Sequence, residues 1–176
     1  MSLVPPVGTH DHRLGPLAAP VTLVEYGDYE CGYCGEAYPV LRAVQSALGD
    51  RLCFVFRNFP MGEAHPHAEH AAALAEAAAA AGLFWPMHDL LFENQGALDD
   101  ESLLAYGEAV GLKRADIDAA LAGHYVRRIR QDFLSGVRSG VNGTPSLFIQ
   151  GERYDGPRDA DSLYAALVEA GSLSLG

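Results

Sequence analysis

Two cysteines three positions apart, Cys31-Gly32-Tyr33-Cys34, are the residues of this chain best suited to chemistry. Before them lies Val21–Tyr26 (VTLVEY), a short β-branched run bounded by Pro20 and Gly27, which predicts a buried strand. After them Cys34, Ala37, Tyr38, Leu41, Val44 and Leu48 recur at helical spacing until Gly49. The pair therefore falls where a strand hands over to a helix. Cys31 is expected at the helix N-terminus with its sulfur facing solvent, and Cys34 one turn in, near enough to bridge. Unpaired N–H groups and the helix dipole favour a negative sulfur at the first position. A thiolate is the nucleophile of disulfide exchange, so Cys31 is expected to attack and Cys34 to resolve. Cysteines in such settings have pKa values of roughly 3.5 to 7.5. Zinc sites share the spacing, but zinc normally takes two further ligands. The chain has no second CxxC, and Cys53 stands alone in an apolar segment. A structural metal module using Cys31, Cys34 and histidines is the competing reading.

The second signal is Gly143-Thr144-Pro145, directly before the apolar run Ser146–Gln150 (SLFIQ). Proline cannot donate to a sheet ladder, so it belongs at the first residue of a strand or on an edge. With a cis bond there, the Thr144 backbone would be turned outward to pair with an extended peptide. A plain turn into a strand is the simpler alternative.

The elements that must hold these residues can be read along the chain. Residues 1–20 are proline-rich and read as an extended arm, placed to add an edge strand. Arg51–Phe59 predicts a second strand, and Pro39 predicts a kink in the first helix. From Met61 to about Gly140 there is no convincing strand. Instead helices are expected at His67–Ala81, Phe84–Asn94, Leu103–Val110, Lys113–Ala122 and Tyr125–Arg138, with Asp99 or Asp100 capping the third. A short partner strand near Arg153–Asp155 follows Ser146–Gln150, and Asp159 or Asp161 caps a last helix, Ser162–Ala170. The order suggests three parts: an arm at 1–20, a sheet domain made of 21–60 plus 141–176, and a packed helical insertion at 61–140.

Composition narrows the classes. The chain has 176 residues, 49% hydrophobic and 20% charged, and 12 basic against 23 acidic side chains leave it at −11. That balance suits one domain with an insertion and disfavours nucleic-acid binding. No stretch approaches the roughly 18 apolar residues that a spanning helix needs. Three cysteines are too few for a disulfide-stapled secreted scaffold. The start, MSLVPPVGTHDHRLGP, has neither a basic nor an apolar leader segment, so a cytoplasmic location is expected, or a periplasmic or secreted one if a leader was trimmed.

Together VTLVEYGDYECGYC, the proline five residues after Cys34, the helical insertion with its FWPMHDLLFENQ segment, and GVNGTPSLFIQGERYDG resemble the thioredoxin superfamily. More narrowly, they resemble its DsbA-type branch, over about residues 11–170. The resemblance implies an α/β thioredoxin-like fold with a mixed central sheet, and a thiol–disulfide oxidoreductase acting on proteins or peptides and recharged by a redox partner. It implies no metal or organic cofactor. The attacking cysteine corresponds to Cys31, the buried one to Cys34, and the cis-proline loop to Gly143, Thr144 and Pro145. Glu25 matches an acidic residue of the branch that resembles a buried proton acceptor for the resolving cysteine; an ordinary strand-end acid reaching water is the alternative. Asp28 stands between the same role and that of a turn residue. Gly32-Tyr33 departs from the Pro-Tyr or Pro-His of many members and is similar to periplasmic disulfide isomerases. Those dimerise through a separate N-terminal domain, which a 20-residue arm is too short to form. Oxidase, reductase and isomerase directions are all open, as is a non-catalytic peptide-binding scaffold. His65, His67 and His70 are expected to flank the alanine-rich helix rather than bind metal, and Cys53 to be a small buried hydrophobe.

Overall fold

A computed structural model describes residues 1–173 of the chain; the end of the expected sheet-domain segment, 174–176, lies outside the described residues. Its elements run β1 (His12–Leu14), β2 (Val21–Gly27), α1 (Gly32–Leu48), β3 (Leu52–Asn58), α2 (Ala68–Ala80), α3 (Phe84–Glu93), α4 (Asp100–Ala109), α5 (Arg114–Leu121), α6 (Val126–Arg138), β4 (Ser146–Ile149), β5 (Glu152–Tyr154) and α7 (Ala160–Leu173). The strands make one mixed sheet in the order β1-β3-β2-β4-β5. β2 and β3 are parallel, with Val21 opposite Leu52 and Gly27 opposite Asn58. β4 runs antiparallel to β2, with Tyr26 opposite Ser146. The carboxyl end of β2 and the amino end of β4 therefore meet at one edge of the sheet. From that edge leave the CxxC turn and the Thr144–Pro145 loop.

The period-two alternation of the strands separates two apolar layers. Val21 and Leu23 of β2 and Phe54 of β3 pack with Leu41, Val44 and Leu48 of α1 and Leu163 and Leu167 of α7. Val24, Tyr26, Cys53, Val55 and Phe148 face the other way, toward Phe59, Val141 and Phe133 of α6. Glu25 shares the parity of Leu23, which places it on the α1 side. The arm supplies β1, which pairs antiparallel with β3 as the edge strand. Arg57 ties the rest of the arm down. Its guanidinium donates from Nε to Asp11 Oδ1 at 2.8 Å and reaches the Pro5 and Pro6 carbonyls and the Tyr26 hydroxyl.

Helices α2 to α6 lie between β3 and β4, with boundaries close to those the sequence predicts. The alanines of α2 have a packing reason. Ala71, Ala72, Ala73, Ala75, Ala77 and Ala78 are all buried, so this helix is surrounded, and small side chains let its neighbours approach closely. Asp99 caps α4 by accepting from the Ser102 amide, and Asp159 does the same for Ser162 ahead of α7. α1 runs as one helix through Pro39, whose ring faces solvent.

Candidate active site

Cys31 is the N-cap of α1, in extended conformation and with no side-chain cap. The groups that favour the anionic form of its sulfur are the Cys34 thiol, the Thr144 side chain and the Cys34 and Tyr33 amides. These groups, the Cys34 thiol foremost, hold the Cys31 thiol down at a pKa of about 5 against the opposing effect of burial. All three cysteines are free thiols, so the geometry is that of the dithiol form. The expectation of a solvent-facing sulfur needs correction, because Cys31 is only 4% exposed. The cause is the loop opposite. The Thr144 carbonyl lies 3.5 Å from the Cys31 sulfur, and the Thr144–Pro145 bond is cis. The loop thus arches over the cysteine, and the Thr144 carbonyl is aimed at the sulfur rather than outward.

Cys34 lies one turn further in and is fully buried. Burial pushes its thiol far up, and donating to Cys31 and the nearby Glu25 carboxyl push the same way. The backbone N–H of Asp28 donates to its sulfur and partly offsets this. Glu25 does not reach water. It is 1% exposed, its Oε1 has no hydrogen-bond partner, and burial followed by the Cys31 charge raises its carboxyl to about 8. A carboxyl with that value exchanges protons near neutral pH, and the Cys34 sulfur lies within its electrostatic reach.

The turn between β2 and α1 is pinned from several sides. Asp28 is buried and serves as its anchor. Its Oδ1 accepts from the Glu30 amide at 2.8 Å, while Oδ2 accepts from the Met61 amide at 2.9 Å and pairs with His65 Nδ1 at 2.7 Å. Its carbonyl accepts from the Cys31 amide. Asp28 therefore acts as a turn residue with every acceptor in use, and it raises the pKa of His65 by hydrogen bonding.

Three contributors escaped the sequence reading. The Tyr29 hydroxyl meets His88 Nδ1 of α3 at 3.0 Å, inside a cluster with Phe56 and Phe92. Burial pushes that histidine down to about 3, so it is neutral at physiological pH. Gln95, just past α3, donates from Nε2 to the carbonyls of Tyr29 (2.8 Å) and Cys31 (2.9 Å). Gly35 carried a usable signal. It follows the CxxC inside a helix and has no positive φ, so its lack of a side chain answers to a close approach rather than to backbone conformation.

The remaining candidates are dispersed. Cys53 sits on β3 facing the α6 layer, whereas the CxxC pair packs with Phe56 on the opposite side of the sheet. His65 pairs with Asp28, His70 with Asp100, and the His67 backbone amide donates to Glu30 Oε2. Among the described residues no group of three His, Cys, Asp or Glu is placed to hold a metal ion. Gly143 accepts from the Ser146 hydroxyl and so closes the loop that carries Thr144.

Residues 8–169 match the family described as Thioredoxin. The chain is 43% identical over 171 residues to the Na(+)/H(+) antiporter NhaA 3 of Salinispora tropica, a match that takes in 96% of this chain and 26% of that protein. It spans about a quarter of the length of the curated relatives it matches. Among solved structures it resembles a thioredoxin-like oxidoreductase from Silicibacter pomeroyi, with a TM-score of 0.82, 25% identity and 94% of each chain covered. It also resembles alpha-DsbA1 of Wolbachia pipientis, with a TM-score of 0.83, 18% identity, and 97% of this chain and 94% of that one covered. The family match over most of the chain and the shared architecture agree: the chain belongs to the thioredoxin family and has the DsbA-like form of its fold.

Proposed function

We propose that this chain is a protein thiol–disulfide oxidoreductase working through Cys31 and Cys34. The observation that carries the reading is the Cys31 sulfur. It belongs to the N-cap residue of α1, is favoured as an anion by the Cys34 thiol and the first-turn amides, and lies beside the Thr144–Pro145 loop. A sulfur so held is a good leaving group and is a thiolate at neutral pH.

In the oxidising direction a substrate thiolate attacks the Cys31 sulfur of the Cys31–Cys34 disulfide. The S–S bond breaks, a substrate–Cys31 disulfide forms, and Cys34 leaves with the electron pair. Its high proton affinity means that it must be protonated, and Glu25, neutral up to about pH 8, is the acid beside it. A second substrate thiolate then attacks the substrate sulfur of the mixed disulfide and expels Cys31 as its stabilised thiolate. The substrate dithiol has lost two electrons, and the protein's disulfide has gained them. In the reducing direction the steps reverse, and Glu25 as a carboxylate takes the Cys34 proton so that Cys34 can resolve. Substrates are proteins or peptides, with Thr144 as the backbone group placed to meet an extended chain once the Cys31 sulfur is engaged.

A pKa of about 5 for Cys31 favours the oxidising direction, because stabilising the thiolate stabilises the reduced form. Ion antiport is not part of this proposal. The match covers about a quarter of the antiporter relative, and no helix among the described residues is long and apolar enough to cross a membrane.

Two assays test the reading, oxidation of a reduced unfolded protein in a glutathione buffer and reduction of insulin. Wild type is expected to accelerate the first, Cys31→Ser to abolish the rate, and Cys34→Ser to accumulate a mixed disulfide through Cys31. Wild type matching Cys31→Ser in both assays would reduce the chain to a peptide-binding scaffold.

A further inference from the structure

The helical insertion grips the active-site turn at a residue that the exchange chemistry does not use. Tyr29 is held at both ends by the segment around α3. Its hydroxyl meets His88, and its carbonyl takes a hydrogen bond from Gln95. The same Gln95 amide group also donates to the Cys31 carbonyl, which already accepts the Gly35 amide in the first turn of α1. At its other end the Gln95 carboxamide lies close against Gly35, where an added Cβ would fall 1.9 Å from Gln95 Oε1 and push that side chain off its present position.

We propose that Gln95 is a positioning residue that locks the turn carrying Cys31 to the helical insertion, so that the Tyr33 and Cys34 amides stay aimed at the Cys31 sulfur. Two effects of the contact have the same sign. Fixing the Cys31 carbonyl fixes the plane of the next peptide and hence the first turn, on which sulfur–amide alignment depends. The NH₂ end of the carboxamide also brings its positive pole to the cysteine's own backbone, next to the developing thiolate. Losing Gln95 therefore weakens thiolate stabilisation by both routes. A second consequence is that Gly35 is needed to make room for the lock. Gly35→Ala and a loss of Gln95 should be the same lesion reached from two sides.

The inference rests on the exchange reading only in naming what tunes its nucleophile, and its test needs no substrate. In the 176-residue chain, the ultraviolet absorbance of the Cys31 thiolate is followed against pH, with the rate of iodoacetamide alkylation as a check. Gln95→Met keeps the length and removes the two donors. Because Gln95 is only half-buried, this variant is expected to fold, which circular dichroism verifies. The half-titration point should rise by about one pH unit, a tenfold loss, the scale of one or two hydrogen bonds. The Cys31/Cys34 potential should become more reducing by about 30 mV for that tenfold change. Gly35→Ala should shift the titration in the same direction, and the double variant should go no further than the larger single. Folded Gln95→Met titrating with wild type, or strictly additive shifts in the double variant, would overturn the lock while leaving the exchange reading standing. A wild-type Cys31 titrating at the ordinary thiol value would sink both.

Discussion

Between about pH 5 and 9 the lowered Cys31 thiol means that the folded dithiol holds one proton fewer there than the unfolded chain. The thiol is lowered from an ordinary 9.0 to about 5. A depressed acid stabilises the fold above its unfolded pKa, and that stabilisation is lost as pH falls through the folded value. The dithiol form should therefore gain stability on the disulfide form as pH climbs from about 5 toward 9. Thermal midpoints of the two forms measured across that window check this, and a constant gap between them would contradict it. Cys34 is shifted upward, so its linkage lies above about pH 9 and does not enter the window. Glu25 has the opposite sign to Cys31. Its raised pKa means that the unfolded chain ionises near 4.5 and the folded one near 8, so it destabilises the fold progressively between those values. Glu25→Gln should match wild type in stability at pH 4 and exceed it at pH 8. In stopped-flow mixing with a mixed disulfide on Cys31, the same variant should slow resolution by Cys34. Unchanged resolution would make Glu25 a bystander. The sequence offers Glu25 as one of two equal readings because burial is a property of the fold. Only the register of β2 between β3 and β4 puts that carboxyl on the α1 side, with no water to meet it.

Among the elements, α1 carries the candidate cysteines and a visible cost. Pro39 removes the amide that would bond the Gly35 carbonyl, yet the helix continues. An interior proline costs up to about 3 kcal/mol relative to alanine, while its restriction of the unfolded chain returns about 0.4 to 1. The first effect is larger, and the ring is exposed with little packing to lose. Pro39→Ala should therefore raise stability by about 1–2 kcal/mol, read as a higher denaturant midpoint. The Cys31 titration should stay in place, since the change is two turns from the sulfur. Element identity was legible wherever a pattern is local. The apolar β-branched strands, the alanine run of α2 and the aromatic periodicity of α3 read correctly, and each of the two caps fell on the first of the two aspartates offered for it. What did not read were contacts between elements. Gln95 and His88 are far from the CxxC in the chain and look like ordinary polar residues of a helical segment. Nothing short of packing α3 beside the β2–α1 turn shows that both hold Tyr29. The solvent-facing Cys31 failed for the same reason, because the covering loop arrives 113 residues later.

The whole molecule joins its three sequence segments through polar groups buried behind the sheet. His12 of the arm meets Glu76 of α2 at 2.7 Å, Asn58 of β3 donates to Glu76 and Asp132, and Arg128 pairs with Asp132. Arg57 and Asp11 continue this network into the arm. Breaking one member of a buried ion pair strands the other, at about 3–5 kcal/mol. Arg57→Ala should thus lose stability on that scale and release residues 1–11 to limited proteolysis before the rest of the chain unfolds. Persistence of the arm would show that its other ties, such as the Leu3 amide to the Gly151 carbonyl and the Val4 amide to Ser139 Oγ, suffice to hold it. Such buried charges read in the sequence as scattered surface residues, since pairing across 46 or 74 positions leaves no local mark. The property that sums up all three scales is the equilibrium potential of the Cys31/Cys34 couple against glutathione. It depends on the sulfur's hydrogen bonds, on the α1 terminus, and on the packing that keeps Cys34 and Glu25 dry. A thiolate pKa of about 5 lies between the values near 7 for thioredoxin and 3.5 for DsbA. The potential is accordingly expected between about −270 and −120 mV. A reversible two-electron transition in that interval, lost in Cys31→Ser, is the predicted result. A couple at or below about −270 mV, or no interconversion of the pair, would contradict the account.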